Sequence, residues 1–136
     1  MTKLLMIDDN PMEHTIARAI FKHHGFFEDS QHLNDCRAAK EYVEKHLQTV
    51  AELPDVILLD LNMDGFNGWD FLEYFHALQP ILPKPISLYI FSSSISPTDH
   101  KLSVRYPFVK SFLIKPLSLQ ILEQISYQAP DHRING

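Results

Sequence analysis

The sequence predicts an α/β fold, a doubly wound layer built on a parallel sheet, and three observations carry that prediction. Short apolar runs alternate with helix-patterned segments along the chain. The run Val56-Ile57-Leu58-Leu59 is too continuous for a strand with one wet face, and strands covered by helices on both sides look like this. Asn, Ser, Pro and Gly punctuate the junctions, with cap-plus-Pro helix starts at Asn10-Pro11 and Ser96-Pro97. Right-handed crossovers then place helices on both faces of the sheet.

The elements follow in order. Residues 3–7 read as a buried strand. Asn10-Pro11-Met12-Glu13 supplies an N-cap, a Pro at the first helical position and a Glu placed to complete a capping box. Met12, Ile16, Ala19 and Ile20 keep a helical period until Gly25 stops it. A weaker strand is expected over 26–32 and a helix over 34–48, with Ala39, Tyr42, Val43 and Leu47 on one face. The clearest strand covers 55–59. A loop with Gly65 and Gly68 leads into a helix over 69–78, ended by Pro80. Strands are expected over 86–91 and 109–114, separated by the helix that Ser96 starts. After Pro116, Ser118 caps a last helix, with Leu117 and Leu122 as a hydrophobic staple.

At 136 residues the chain suffices for one domain, expected over 1–128, with a short polar tail over 129–136 and no effector domain after it. Twelve Lys and Arg against 17 Asp and Glu give a net charge of −5, which argues against direct nucleic-acid binding. Apolar runs of four residues are too short for membrane insertion or a signal peptide. Cys36 is the single cysteine, so no intrachain disulfide forms, as expected of a cytoplasmic protein.

In an open parallel sheet, ligands bind outside the carboxyl ends of the strands. Here the first strand ends in Asp8-Asp9, the third in Asp60, the fourth in Ser92-Ser93-Ser94 and the fifth in Lys115. A lone Asp after a strand is usually a turn former, and a Ser run is usually loop chemistry. One site explains all four together. Three clustered carboxylates repel unless a cation neutralises them, and an oxygen-only donor set suits Mg2+.

The chain resembles a response-regulator receiver domain of two-component signalling, stand-alone and flavodoxin-like, over about residues 3–128. The resemblance rests on Asp8-Asp9-Asn10-Pro11, on 56–63 with Gly68, on Ser92, and on Lys115-Pro116. It implies five parallel strands in the order 2-1-3-4-5. It implies that Asp60 accepts a phosphoryl group, with Mg2+ held by Asp9 directly, by Asp8 largely through water, by Asp60 and by the Asn62 backbone carbonyl. Ser92 and Lys115 would hold the phosphoryl oxygens, and Phe112 would be the switch aromatic that answers Ser92. The implied donor is a sensor histidine kinase or histidine phosphotransfer protein, and the output is an unknown downstream protein or onward relay. The implied chemistry is self-phosphorylation and autodephosphorylation only, not that of an enzyme. Asp64 departs from the Pro common at this point in the family, and Ser92 replaces the commoner Thr while keeping the hydroxyl.

Other features carry less. The eight histidines lack metal-ligand spacing and read as structural. About half of Phe66, Trp69, Phe71, Leu72 and Phe75 are expected in the core, and Cys36 is expected half-buried. Gly65 and Gly68 do not form a dinucleotide-binding motif. The alternative function is a Mg2+-dependent aspartyl-nucleophile phosphatase of haloacid-dehalogenase type. That class needs a second Asp two positions after the nucleophile, where this sequence has Asn62, and no cap domain is inserted.

Overall fold

The computed structural model describes residues 2–128; the tail expected over 129–136 lies outside them. The elements are β1 (Lys3–Ile7), α1 (Pro11–His24), β2 (Asp29–Leu33), α2 (Cys36–Lys45), β3 (Val56–Leu59), α3 (Gly68–Leu78), β4 (Ser87–Ser92), α4 (Pro97–Ser103), β5 (Val109–Ile114) and α5 (Leu119–Gln128). Five parallel strands lie in the order β2-β1-β3-β4-β5, as the resemblance implies.

Alternate strand residues feed two cores, one on each face of the sheet. Leu5, Ile7, Ile57, Leu59, Leu88 and Ile90 pack with Ala39 and Val43 of α2 and Phe71, Leu72 and Phe75 of α3. Leu4, Met6, Val56, Leu58, Tyr89 and Phe91 pack with Ala17 and Phe21 of α1 and Leu122 and Ile125 of α5. Every residue of β3 and β4 is buried, whereas the edge strands β2 and β5 are mostly half-buried. Of the five aromatic and aliphatic residues around α3, Phe71, Leu72 and Phe75 are core and Phe66 and Trp69 are half-buried. Cys36 is fully buried rather than half-buried.

Several expectations shift. β2 begins three residues later than expected because Gly25 and Phe27 both adopt left-handed backbone, which a strand cannot include. α2 covers Cys36–Lys45 rather than 34–48, and Asp35 caps it, accepting from the Ala38 N–H at 2.6 Å. The buried face of α1 is His14, Ala17 and Phe21, while Met12 and Ile16 face solvent. The capping box expected at Asn10 does not form. The Asn10 N–H is donated to Asp8 Oδ1 at 2.9 Å, which leaves the Glu13 carboxylate to turn toward Lys115, 4.0 Å away. A capping box does form at the start of α3, between Asn67 and Asp70. Ser96 and Ser118 cap α4 and α5 as expected, and Leu117 and Leu122 are both buried.

Candidate functional site

Parallel strands share one direction, so the ends of β1, β3, β4 and β5 present their polar residues along one edge. Asp8 follows β1 and is held at each of its polar atoms. Its N–H donates to Leu33 O at 3.1 Å and its carbonyl accepts from His14 Nε2 at 2.8 Å. Its Oδ1 accepts from the Asn10 N–H, and its Oδ2 takes a charge-assisted bond from Lys115 Nζ at 2.7 Å. Carboxylate oxygens of Asp8, Asp9 and Asp60 lie within 4.8 Å of one another. Asp8 and Asp60 are buried, whereas Asp9 is exposed.

Lys115 reaches into this cluster, 3.6 Å from Asp60 Oδ2 as well as bonded to Asp8. Burial pushes the Asp60 carboxyl up to about 6; Lys115 and the Asn62 N–H oppose the rise, and the charges of Asp8 and Asp9 add to it. Burial also disfavours the Lys115 ammonium, but the bond to Asp8 and the charges of Asp60, Asp8 and Glu13 outweigh it and hold its pKa above the ordinary lysine value. One ammonium thus lies within 4.0 Å of the carboxylates of Asp8, Asp60 and Glu13, and Asp9 adds a fourth carboxylate to the cluster. This oxygen-only set, close and under-neutralised, fits a hard divalent cation.

Ser92 ends β4 with its hydroxyl buried. Its Oγ accepts from the Ser94 N–H at 3.1 Å and from Asn62 Nδ2 at 3.5 Å. Ser94 Oγ donates to Asp99 Oδ2 at 2.6 Å and accepts from the Ser96 N–H, which ties the Ser92 turn to the start of α4. Phe112 lies on β5, half-buried, its ring stacked on His100 of α4 with centroids 3.8 Å apart. The Lys115–Pro116 peptide is cis.

The structure therefore brings together Asp8, Asp9, Asp60, Asn62, Ser92 and Lys115, and leaves Phe112 apart on the α4 side. Sequence reasoning missed Glu13, on the first turn of α1, whose carboxylate lies 4.0 Å from Lys115 Nζ. It missed the contacts of His14 and His100 as well, which depend on which elements lie side by side.

The model for the response regulator receiver domain matches residues 4–126. The chain belongs to this family. A receiver domain is a signalling switch rather than an ordinary enzyme, and its family binds Mg2+ or Mn2+ at an acidic site and works with histidine kinases or phosphotransfer proteins. Among curated relatives, "Probable methanogenesis regulatory protein FilR2" of Methanothrix harundinacea is 29% identical over 122 residues, covering 89% of this receiver domain and 76% of that protein. A two-component response regulator from Cytophaga hutchinsonii is 26% identical with a TM-score of 0.82, covering 94% of this chain and 96% of that one. The Mn2+-bound form of response regulator Rcp1, at 20% identity and a TM-score of 0.76, covers 96% of the receiver domain and 100% of that chain and shares the fold. No helix among the described residues is long and apolar enough to cross a membrane.

Proposed function

We propose that this receiver domain takes a phosphoryl group onto Asp60 from the phosphohistidine of a sensor kinase or phosphotransfer protein. The convergence of Asp8, Asp9 and Asp60 within 4.8 Å, with Lys115 among them, carries the reading. An Asp60 carboxylate oxygen forms the new bond to phosphorus as the P–N bond to the donor imidazole breaks, and the imidazole leaves with the electron pair. Later attack by water returns the carboxylate and free phosphate. Lys115 sits where its ammonium can leave Asp8 for a phosphoryl oxygen, and the Ser92 hydroxyl supplies a second hold. Asp9, Asp60 and the Asn62 carbonyl would bind Mg2+ directly and Asp8 largely through water; the ion supplies positive charge against carboxylate and phosphoryl oxygens.

The haloacid-dehalogenase alternative requires an acid/base Asp where the chain has Asn62, whose amide is directed at Ser92. Wild-type protein with Mg2+ and acetyl phosphate is expected to gain one phosphoryl group by intact mass and to leave p-nitrophenyl phosphate unhydrolysed. Turnover of that ester with no mass gain would return the phosphatase reading. Mg2+ alone is expected to bind weakly, because it keeps its waters and demands near-octahedral geometry. Trp69, the second residue of α3, reports the titration by fluorescence. Tight Zn2+ binding through histidines would contradict an oxygen site.

Output runs through Phe112. A Ser92 bond to a phosphoryl oxygen, about 1.5–3 kcal/mol for a charged acceptor, shifts a two-state equilibrium roughly tenfold to hundredfold. Ser94 and Asp99 carry that movement to α4, where His100 stacks on Phe112. The partner surface is β5 with its flanking helices, around Arg105, Tyr106, Lys110 and Phe112. Beryllofluoride is expected to shift amides over 105–114. Changes confined to the loops of Asp9, Asp60 and Ser92 would rule this switch out.

A further inference from the structure

Two histidines that are 18 residues apart in sequence meet behind the acid pocket, their Nδ1 atoms 3.0 Å apart. His14 of α1 is 2% exposed, and its Nε2 lies 2.8 Å from the Asp8 carbonyl. His32 of β2 is half-buried and its Nε2 lies 3.0 Å from Ser30 Oγ. The rings meet edge to face, 5.1 Å between centroids.

With both rings neutral, one proton arrangement satisfies all three contacts. A carbonyl only accepts, so His14 carries its hydrogen on Nε2. His14 Nδ1 is then an acceptor, which requires the hydrogen of His32 on Nδ1. His32 Nε2 in turn accepts from the Ser30 hydroxyl. Burial, with Arg18 and His14 nearby, pushes His32 down to about 4, which keeps its ring neutral at pH 7. The chain runs in one direction, from Ser30 on the edge strand to the main chain of Asp8.

We infer that His14, oriented by His32, is a positioning residue for the acid pocket, fixing the β1–α1 turn that presents Asp8 and Asp9. The inference rests on the metal-site reading above. The Asp8 carbonyl is the one polar atom of that residue tied to α1 by a side chain; its N–H goes to β2 and its carboxylate to Asn10 and Lys115. Without the imidazole donor the carbonyl loses its partner, and His32 Nδ1–H loses its acceptor. The aspartates then hold their geometry less firmly, and Mg2+ tolerates poor geometry badly.

Imidazole 15N shifts of metal-free wild-type protein at pH 7 give the first test. His14 is expected as the Nε2–H tautomer and His32 as the less common Nδ1–H tautomer; the reverse assignment overturns the proposal. Mg2+ titration by Trp69 fluorescence gives the second. His14→Leu is expected to weaken Mg2+ about fivefold, as losing one hydrogen bond does. His14→Gln, whose amide nitrogen replaces Nε2 as donor, is expected to stay within about twofold of wild type. Equal affinities in the two variants would reduce His14 to packing and overturn the inference. If His14→Leu does not fold, His32→Leu decides: weaker Mg2+ binding supports the chain, and wild-type affinity refutes it. A wild-type protein that binds no Mg2+ would instead fail the metal-site reading, whatever the tautomers.

Discussion

In metal-free buffer at pH 7 the Asp60→Asn protein is expected to melt above wild type, and with Mg2+ and acetyl phosphate it is expected to gain no phosphoryl group. Both results follow from one carboxylate. Burial raises Asp60 from 3.8 to about 6 in the folded protein, so the native state holds its proton more tightly than the unfolded chain does. The sign follows: below about 4 both states are protonated and Asp60 costs nothing. Stability is lost as pH rises through about 6, and the full cost, about 1–3 kcal/mol, is carried at pH 7. Asn removes the charge, keeps the shape, and leaves Lys115 its 2.7 Å bond to Asp8. Calorimetry with a chelator at pH 7 and pH 4 measures the difference, which is expected to shrink at the lower pH. A variant less stable than wild type at pH 7 would contradict the electrostatic account. Undiminished phosphorylation would remove Asp60 as acceptor. Asp9→Ala keeps the acceptor and is expected to slow the reaction strongly, because it removes a proposed metal ligand.

Gly68→Ala is expected to cost about 2–4 kcal/mol, seen as a fall in melting temperature of about 10 °C, with a parallel loss of phosphorylation rate. A Cβ at Gly68 would lie 2.5 Å from Leu61 Cα, 2.6 Å from Asp60 O and 3.1 Å from Leu61 O. All three are main-chain atoms of the segment that carries the proposed acceptor, so no side chain can swing aside to make room. Either α3 retreats, breaking the Gly68 N–H bond to Leu61 O, or Asp60 moves. Gly65 is the control. Its φ of 71° makes Ala strained there, yet nothing lies within 4 Å of the added carbon, so the cost is about 1 kcal/mol. Similar losses at both positions would show that backbone freedom, not the close approach to Asp60, is what Gly68 provides.

The legibility of this molecule follows its topology. β3 and β4 are readable because both their faces are buried, which leaves a run of four apolar residues in each, 56–59 and 88–91. β2, with the sequence Asp-Ser-Gln-His-Leu, lies at an edge where polar residues are tolerated, and its start was misplaced. On α1 the period of Met12, Ile16, Ala19 and Ile20 does not say which face meets the sheet: Ile20 packs against the core, Met12 and Ile16 face solvent, and His14, a polar residue, lies on the buried face. Asp8, Asp9, Asp60, Ser92 and Lys115 could be gathered from sequence because parallel strands deliver their ends to one edge. The contact of His14 with His32 and of His100 with Phe112 could not. Each depends on a helix settling against a strand that spacing along the chain does not specify.

The bond between Lys115 and Asp8 spans 107 residues and joins the first strand to the last. Closing a contact of such sequence separation costs more chain entropy than closing a local one. During synthesis Asp8, Asp9 and Asp60 leave the ribosome well before Lys115, so an unfinished chain holds the repelling carboxylates without the ammonium that offsets them. The pocket is assembled only when β5 is in register. The charge balance of the pocket thus depends on β5, the strand whose end carries Lys115.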